Sequence, residues 1–367
     1  MENKIQGEVS YLRVAIIGIG FSEFGILNEP FYNTSFLAAR EAIGDASIER
    51  GEIDSFVLGG YDSLGVGRTI ANMYTAPAAG AYLRHEIRVT DDSAFALALA
   101  FMRVKSGLSD ICMVLGFGKS SETPVELVEL QSLDPFFSRP LNLSLQMSFA
   151  MQSFCYRRKY GIDDEKIAEC VAKDTENGSK NPRAFLRKKI SVEDVLNSKM
   201  AVYPLRELEI AKWCDGSVAL ILASETIAKR ICERPVWIKG VGWSNSGYYF
   251  DELDSLPATK LSADMAFKMA GVERREVEAV EAMDLVSDHQ PMILEALGFA
   301  EKGKGLDVNV EVNKSGGAIC TNVYGSTGLF LIANLIERIR SGEIGIGVAQ
   351  AMSGYAGQRA CVSVFGV

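Results

Sequence analysis

One pattern occurs twice in the chain, and it restricts the possible architecture more than any other feature. Residues 48–57 read IERGEIDSFV and residues 272–281 read VERREVEAVE. Each follows an amphipathic helical stretch, near 34–46 and 259–270, and each leads into a short strand. A second pair keeps the same order downstream, KSGLSDICMVLGFG at 105–118 and RSGEIGIGVAQAMSG at 340–354. In both, a helix ends at Ser-Gly before a buried strand, and Gly107 and Gly342 suit the position past a helix end where positive φ is favoured. Matching units in matching order imply two similar α/β halves. The expected boundary lies near 233–236, and 119–212 has no counterpart, so it reads as an insertion with its own helices.

The first strand, residues 14–20, is a continuous apolar run of the kind buried on both faces. It ends in GIGFSE, which superficially resembles a dinucleotide fingerprint. Glu23 occupies the third glycine position and no helix follows at once, so that reading is rejected. No run of 18 apolar residues suggests a membrane span, and the polar start MENKIQGEVS does not read as a signal peptide, so cytoplasmic residence is expected. A net charge of -9 argues against nucleic acid as a partner. The seven cysteines are scattered without any CxxC, which speaks for buried reduced thiols rather than a metal or redox site, and no metal is expected in this chain. Only His85 and His289 are available to a histidine-dependent mechanism. His85 is expected to be structural and His289 to lie on a helix surface.

Local sequence adds a resemblance. Residues 180–205, KNPRAFLRKKISVEDVLNSKMAVYPL, are followed at 212–230 by KWCDGSVALILASETIAKR, with Asp215-Gly216 where thiolases carry "DGA". GGAICTNVYGSTG (316–328) resembles the thiolase "GGAIALGHPLGATG" loop, and MSGYAGQ (352–358) sits where the family has a Cys-Gly-rich loop. EAMDLVSDHQPMILEALGF (281–299) is similar to the "HDCF…EALGL" stretch of sterol-carrier-protein-type thiolases. The resemblance implies the thiolase fold, two similar βαβαβαββ halves in a layered α/β/α/β/α arrangement with an insertion in the first half. The implied units are 1–118 with 213–232, the insertion 119–212, and 233–367.

The signature residues depart from the family. Gapless counting places the nucleophilic cysteine at Thr90, and small shifts keep it within Asp91, Asp92 and Ser93. The loop histidine falls on Asn322 or Tyr324, the second cysteine on Met352 or Ser353, and the Asn or His of the first oxyanion hole on Met283. An aspartate at a helix start is a good cap and a poor acyl carrier. The candidate catalytic residues are therefore Asp91, Asp92, Ser93, Asn322, Tyr324, Gly354 and Tyr355. Backbone amides near Asp92–Ser93 and in the Gly354/Gly357 loop are expected to form an oxyanion hole. Cys320 reads as a buried thiol.

For coenzyme A phosphates the basic candidates are Arg157, Arg158, Arg183, Arg187, Lys188 and Lys189, while 118–140 reads as a mobile loop over the pocket. The activity so implied is carbon–carbon bond cleavage or formation beside a CoA thioester, by direct CoA attack on a β-ketoacyl-CoA without an acyl-enzyme. The alternatives are a retro-aldolase acting on a β-hydroxyacyl-CoA, with a tyrosine taking the hydroxyl proton, and a non-catalytic scaffold. An enzyme should keep Asp91, Asp92 and Tyr324 facing an open pocket, where a scaffold fills it with apolar side chains. The resemblance also implies a homodimer and a small zinc-ribbon/OB-fold subunit, as in two-subunit thiolases such as benzoylsuccinyl-CoA thiolase.

Overall fold

The computed structural model describes residues 13–61, 72–123, 125–247 and 252–367. Five strands come from each half of the chain. The first set is β1 (Val14–Phe21), β2 (Ser55–Gly59), β3 (His85–Val89), β4 (Ile111–Gly118) and, after a hairpin of β5 (Met200–Val202) and β6 (Leu205–Arg206) in the insertion, β7 (Gly216–Ser224). The second is β8 (Val236–Asn245), β9 (Ala279–Ala282), β10 (Glu311–Val312), β11 (Ile346–Ser353) and β12 (Arg359–Gly366).

These ten form one sheet in the order β10-β9-β11-β12-β8-β1-β7-β4-β2-β3. Read outward from the centre, each side runs first strand, fifth, fourth, second, third. Pairing repeats as well: β2 and β9 each take two parallel neighbours, and the remaining pairs are antiparallel. The halves join at β1 and β8, through Ala15↔Trp237 and Ile16↔Val236.

The sequence repeats correspond to repeated local devices. In the turn at Arg50–Glu52 the Glu49 amide donates to Glu52 Oε2 at 2.8 Å, and in that at Arg274–Glu276 the Glu273 amide donates to Glu276 Oε2 at 2.6 Å. Gly107 and Gly342 have φ of 77° and 80° just past their helices, as the sequence predicted. The GIG run of β1 also has a twin that sequence reading missed, GVG at 240–242. A Cβ on Gly20 would lie 2.1 Å from the Ala38 carbonyl of helix α1 (Phe31–Ala46). One on Gly242 would lie 2.1 Å from the Ser262 carbonyl of the corresponding helix at Pro257–Ala270. These glycines let a helix rest directly on the strand.

Between the halves lie α2 (Ser93–Lys105) and, late in the chain, the helix at Thr327–Ser341, packed on each other and on strands of both sides. The insertion contributes α3 (Leu145–Tyr160) and α4 (Asp164–Lys180). The helices at Pro257–Ala270, His289–Leu297 and Thr327–Ser341 are α5, α6 and α7. The segment 118–140, expected as a loop, instead contains a helix at Val125–Ser132. Its start is anchored, because Lys119 is buried and ion-paired with Asp215 at 2.8 Å. No helix among the described residues is long and apolar enough to cross a membrane.

Candidate active site

The central helices α2 and α7 bring their N-termini together, and Asp92 lies between them. Its Oδ1 accepts from the Ala94 amide at 2.9 Å, capping α2, and its Oδ2 accepts from the Gly328 amide of α7 at 3.2 Å. The fit is close, since a Cβ on Gly328 would fall 2.2 Å from Asp92 Oδ1. Two amides favour the carboxylate and burial opposes it. Burial wins, and with Asp91 nearby the Asp92 carboxyl is pushed up to about 7.

Asp92 forms part of the wall of a small pocket of about 330 Å³ including its open mouth. Its apolar lining is Leu145, Met283, Leu285 and Met352, and its polar lining adds Tyr61, Asn322, Tyr324, Thr327 and Ser353. The Thr327 hydroxyl lies within hydrogen-bonding distance of both Asn322 Oδ1 (3.0 Å) and the Val323 carbonyl (3.1 Å), and Asn322 Nδ2 has no partner among the described residues. Tyr324 is wedged between Tyr61 (ring centroids 4.8 Å apart) and the edge of Trp213 (4.6 Å), with no partner for its hydroxyl among the described residues. Burial pushes its pKa well above the usual phenol value, so it is a neutral donor rather than a base. The Ser353 hydroxyl is buried and also unpartnered.

A description termed "Thiolase C-terminal domain-like" matches residues 246–362. The acetyl-CoA acetyltransferase of Methanothermobacter thermautotrophicus is 29% identical over 353 residues, covering 90% of this chain and 92% of that one. The 17-hydroxy-3-oxo-4-pregnene-20-carboxyl-CoA lyase of Mycobacterium tuberculosis is 26% identical, covering 85% of this chain and 86% of that protein. The solved Ltp2-ChsH2(DUF35) aldolase superposes with a TM-score of 0.83 at 20% identity, over 97% of this chain and 98% of that one. Over about nine-tenths of its length the chain is thus similar to thiolase-superfamily proteins, in particular to the sterol-carrier-protein-type branch, and it has the thiolase fold.

Within this thiolase-like fold the expected site residues divide. Asp92, Asn322, Tyr324 and Gly354 line the pocket. Asp91 does not, because its carboxylate is engaged by the Tyr61 hydroxyl (2.9 Å), the Asp92 amide (2.8 Å) and Arg359 (2.9 Å). Ser93 is fully buried against Gly59 and Gly116, away from the pocket, and its hydroxyl has no partner among the described residues. Tyr355 turns away and donates to the Glu129 carbonyl at 3.1 Å. None of the seven cysteines lines the pocket. Cys320 is buried beside the Asp174 carbonyl, its thiol raised by burial.

Three further expectations need correction. The backbone oxyanion hole at Asp92–Ser93 is closed, since the Asp92 amide donates to Asp91 Oδ1 and the Ser93 amide to the Gly325 carbonyl at 2.9 Å. The basic cluster is only partly available. Arg157 is buried in ion pairs with Asp288 (2.7 Å) and Glu209 (2.6 Å), Arg183 pairs with Glu337, and Lys189 pairs with Glu176 at 3.1 Å. Arg158, Arg187 and Lys188 remain exposed. His289 is fully buried at the start of α6, and burial holds its pKa down at about 3.

Sequence reasoning missed Tyr61, Thr327 and Arg359, although the repeat held the signal for two of them. Extending the alignment of 48–57 with 272–281 sets Tyr61 opposite Leu285. Extending that of 106–107 with 341–342 sets Asp92 opposite Thr327. All four line the pocket, which therefore lies where the two halves meet.

Proposed function

We propose that this chain makes and breaks the Cα–Cβ bond of a CoA thioester through a thioester enolate, with Asp92 as the proton acceptor and without an acyl-enzyme. The favoured substrate class is a β-hydroxyacyl-CoA cleaved by retro-aldol reaction. The supporting observation is Asp92 itself, a buried carboxyl pushed up to about 7 at the N-terminus of the central helix, in a pocket that no thiol lines. A general base works best when its pKa lies near the working pH.

Asp92 takes the β-hydroxyl proton. The Cα–Cβ electrons move to Cα, and Cβ leaves as an aldehyde or ketone. Asp92 then returns its proton to Cα. The enolate oxygen accepts hydrogen bonds from Asn322 Nδ2 and the Tyr324 hydroxyl, side-chain donors that take the place of the committed Asp92 and Ser93 amides. Tyrosine is thus a donor here, and the proton acceptor is the aspartate. The Asp92 and Tyr324 side chains in the pocket wall also speak against a purely structural scaffold.

A second reading, direct CoA attack on a β-ketoacyl-CoA, draws on the same carboxyl. A base near 7 is close enough to the thiol range to take the CoA proton. Arg158, Arg187 and Lys188 are the remaining candidates for the CoA phosphates. We further propose a small partner subunit, the zinc-ribbon/OB-fold protein expected from the sequence, because the solved aldolase Ltp2-ChsH2(DUF35) is named with a DUF35 partner; a homodimer and cytoplasmic action complete the proposal.

The test incubates the chain, with and without the product of the adjacent gene, with β-hydroxyacyl-CoAs, or with β-ketoacyl-CoAs plus CoA. Release of a carbonyl compound from the first set, with Asp92→Asn inactive, supports the retro-aldol reading. CoA-dependent thiolysis of the second set supports the direct attack. Turnover by a labelled acyl-cysteine intermediate overturns both.

A further inference from the structure

The end of β11 and the turn that follows it contribute Ser353 and Gly354 to the pocket, and two residues further on the backbone is strained. Ala356 has φ 52° and ψ 31°, the left-handed region that a side chain disfavours. Such a conformation persists only where its surroundings over-determine it. Here both polar backbone groups of Ala356 are held by side chains of α3, a helix of the insertion. Its amide donates to Ser148 Oγ at 3.2 Å, and its carbonyl accepts from Gln152 Nε2 at 3.0 Å.

Gln152 is itself oriented. The Ala356 carbonyl can only accept, so Gln152 must present its NH2 there and turn Oε1 the other way. Oε1 meets His289 Nε2 at 3.2 Å, which requires the imidazole to carry its proton on that nitrogen. Burial keeps His289 neutral, its Nδ1 has no partner among the described residues, and the Phe149 ring lies edge-on at 4.6 Å. Ser148, Gln152 and His289 are all fully buried. The same α3 places Leu145 in the pocket wall one turn before the clamp.

The geometry points to Gln152, oriented by His289, as a positioning residue that sets the pocket loop at Ser353–Gly354 from the insertion. This assignment rests on the pocket being the reaction site, and sequence comparison of signature positions would not find it.

The test uses Gln152→Met, which keeps volume and removes both hydrogen bonds, and Ser148→Ala, which removes the other half of the clamp. Hydrogen exchange by mass spectrometry follows peptides spanning 350–360 alongside peptides from β1 and β4. The clamp predicts exchange about 10-fold faster in the loop with β1 and β4 unchanged. It also predicts kcat down by about 10- to 100-fold with little change in KM. Ala356→Gly added to Gln152→Met should recover part of that loss, because glycine adopts the conformation without help. Unchanged loop exchange in both variants overturns the assignment, as does an equal loss of protection everywhere. If no CoA thioester is turned over, the proposed reaction fails while the exchange result still decides the clamp. Should Gln152→Met not fold, Ser148→Ala carries the same comparison.

Discussion

Asp92→Asn separates the two consequences of burying a carboxyl at the junction of α2 and α7. An ordinary aspartate ionises near 3.8 and Asp92 at about 7. At ~1.4 kcal/mol per pH unit, that difference makes ionised Asp92 cost the fold ~4 kcal/mol. The sign follows from the raised value. The native state binds the proton more tightly than the unfolded chain, so this group's contribution is fully present below pH 3.8. It is lost as pH rises to about 7 and is constant above.

Asparagine is as good a helix cap as aspartate and keeps an oxygen for the Ala94 amide. Its NH2 would then face the Gly328 amide, a donor–donor conflict costing ~1–3 kcal/mol. The net expectation at pH 8 is a variant more stable by ~1–3 kcal/mol and catalytically silent. Thermal or urea melts of both proteins from pH 4.5 to 8.5 read the effect. The stability difference should grow by ~1.4 kcal/mol per pH unit up to about 7 and then level off. Parallel curves for the two proteins would show that Asp92 is not the perturbed carboxyl, and the assignment of the base would fall with it.

Other outcomes follow from the same geometry. Tyr324→Phe should lower kcat by ~10²- to 10³-fold as an enolate donor is lost, with melting little changed because the hydroxyl has no partner among the described residues. Alkylation with iodoacetamide, or Cys320→Ala with Cys361→Ala, should leave turnover intact, and intact-mass spectra should show no acyl adduct. Both thiols are buried and raised by burial. Asp174→Asn should stabilise the protein at pH 8 and flatten the fall in stability as pH rises above the ordinary aspartate value of 3.8. Asp174 and Asp284 are buried, each has one carboxyl oxygen without a partner among the described residues, and burial raises both, with the Asp284 charge adding to the rise of Asp174, so a proton shared between them is one that an asparagine amide would replace permanently. An unchanged pH dependence would count against the shared proton.

Much of the architecture was legible in the chain, because the signals are local. A Glu three residues after another Glu closes a turn, and a Gly past Ser ends a helix. Both were visible twice in the same order, and the sheet repeats with them. The pocket was legible only to within a few residues. TDDS marks a helix start, yet which of its members faces the pocket depends on α7, whose Gly328 amide selects Asp92 from 236 residues away.

Charge shows the same limit. In sequence Arg157 and Arg158 are equivalent cations, but α3 turns one inward onto Asp288, 131 residues on, and leaves the other exposed. His289 looked like a surface residue because α6 begins in polar residues, and only packing against α3 buries it. Periodicity and turn chemistry act over a few residues and determine elements and their order. Side-chain direction, desolvation and ion pairing depend on distant parts of the chain, and those decide the chemistry.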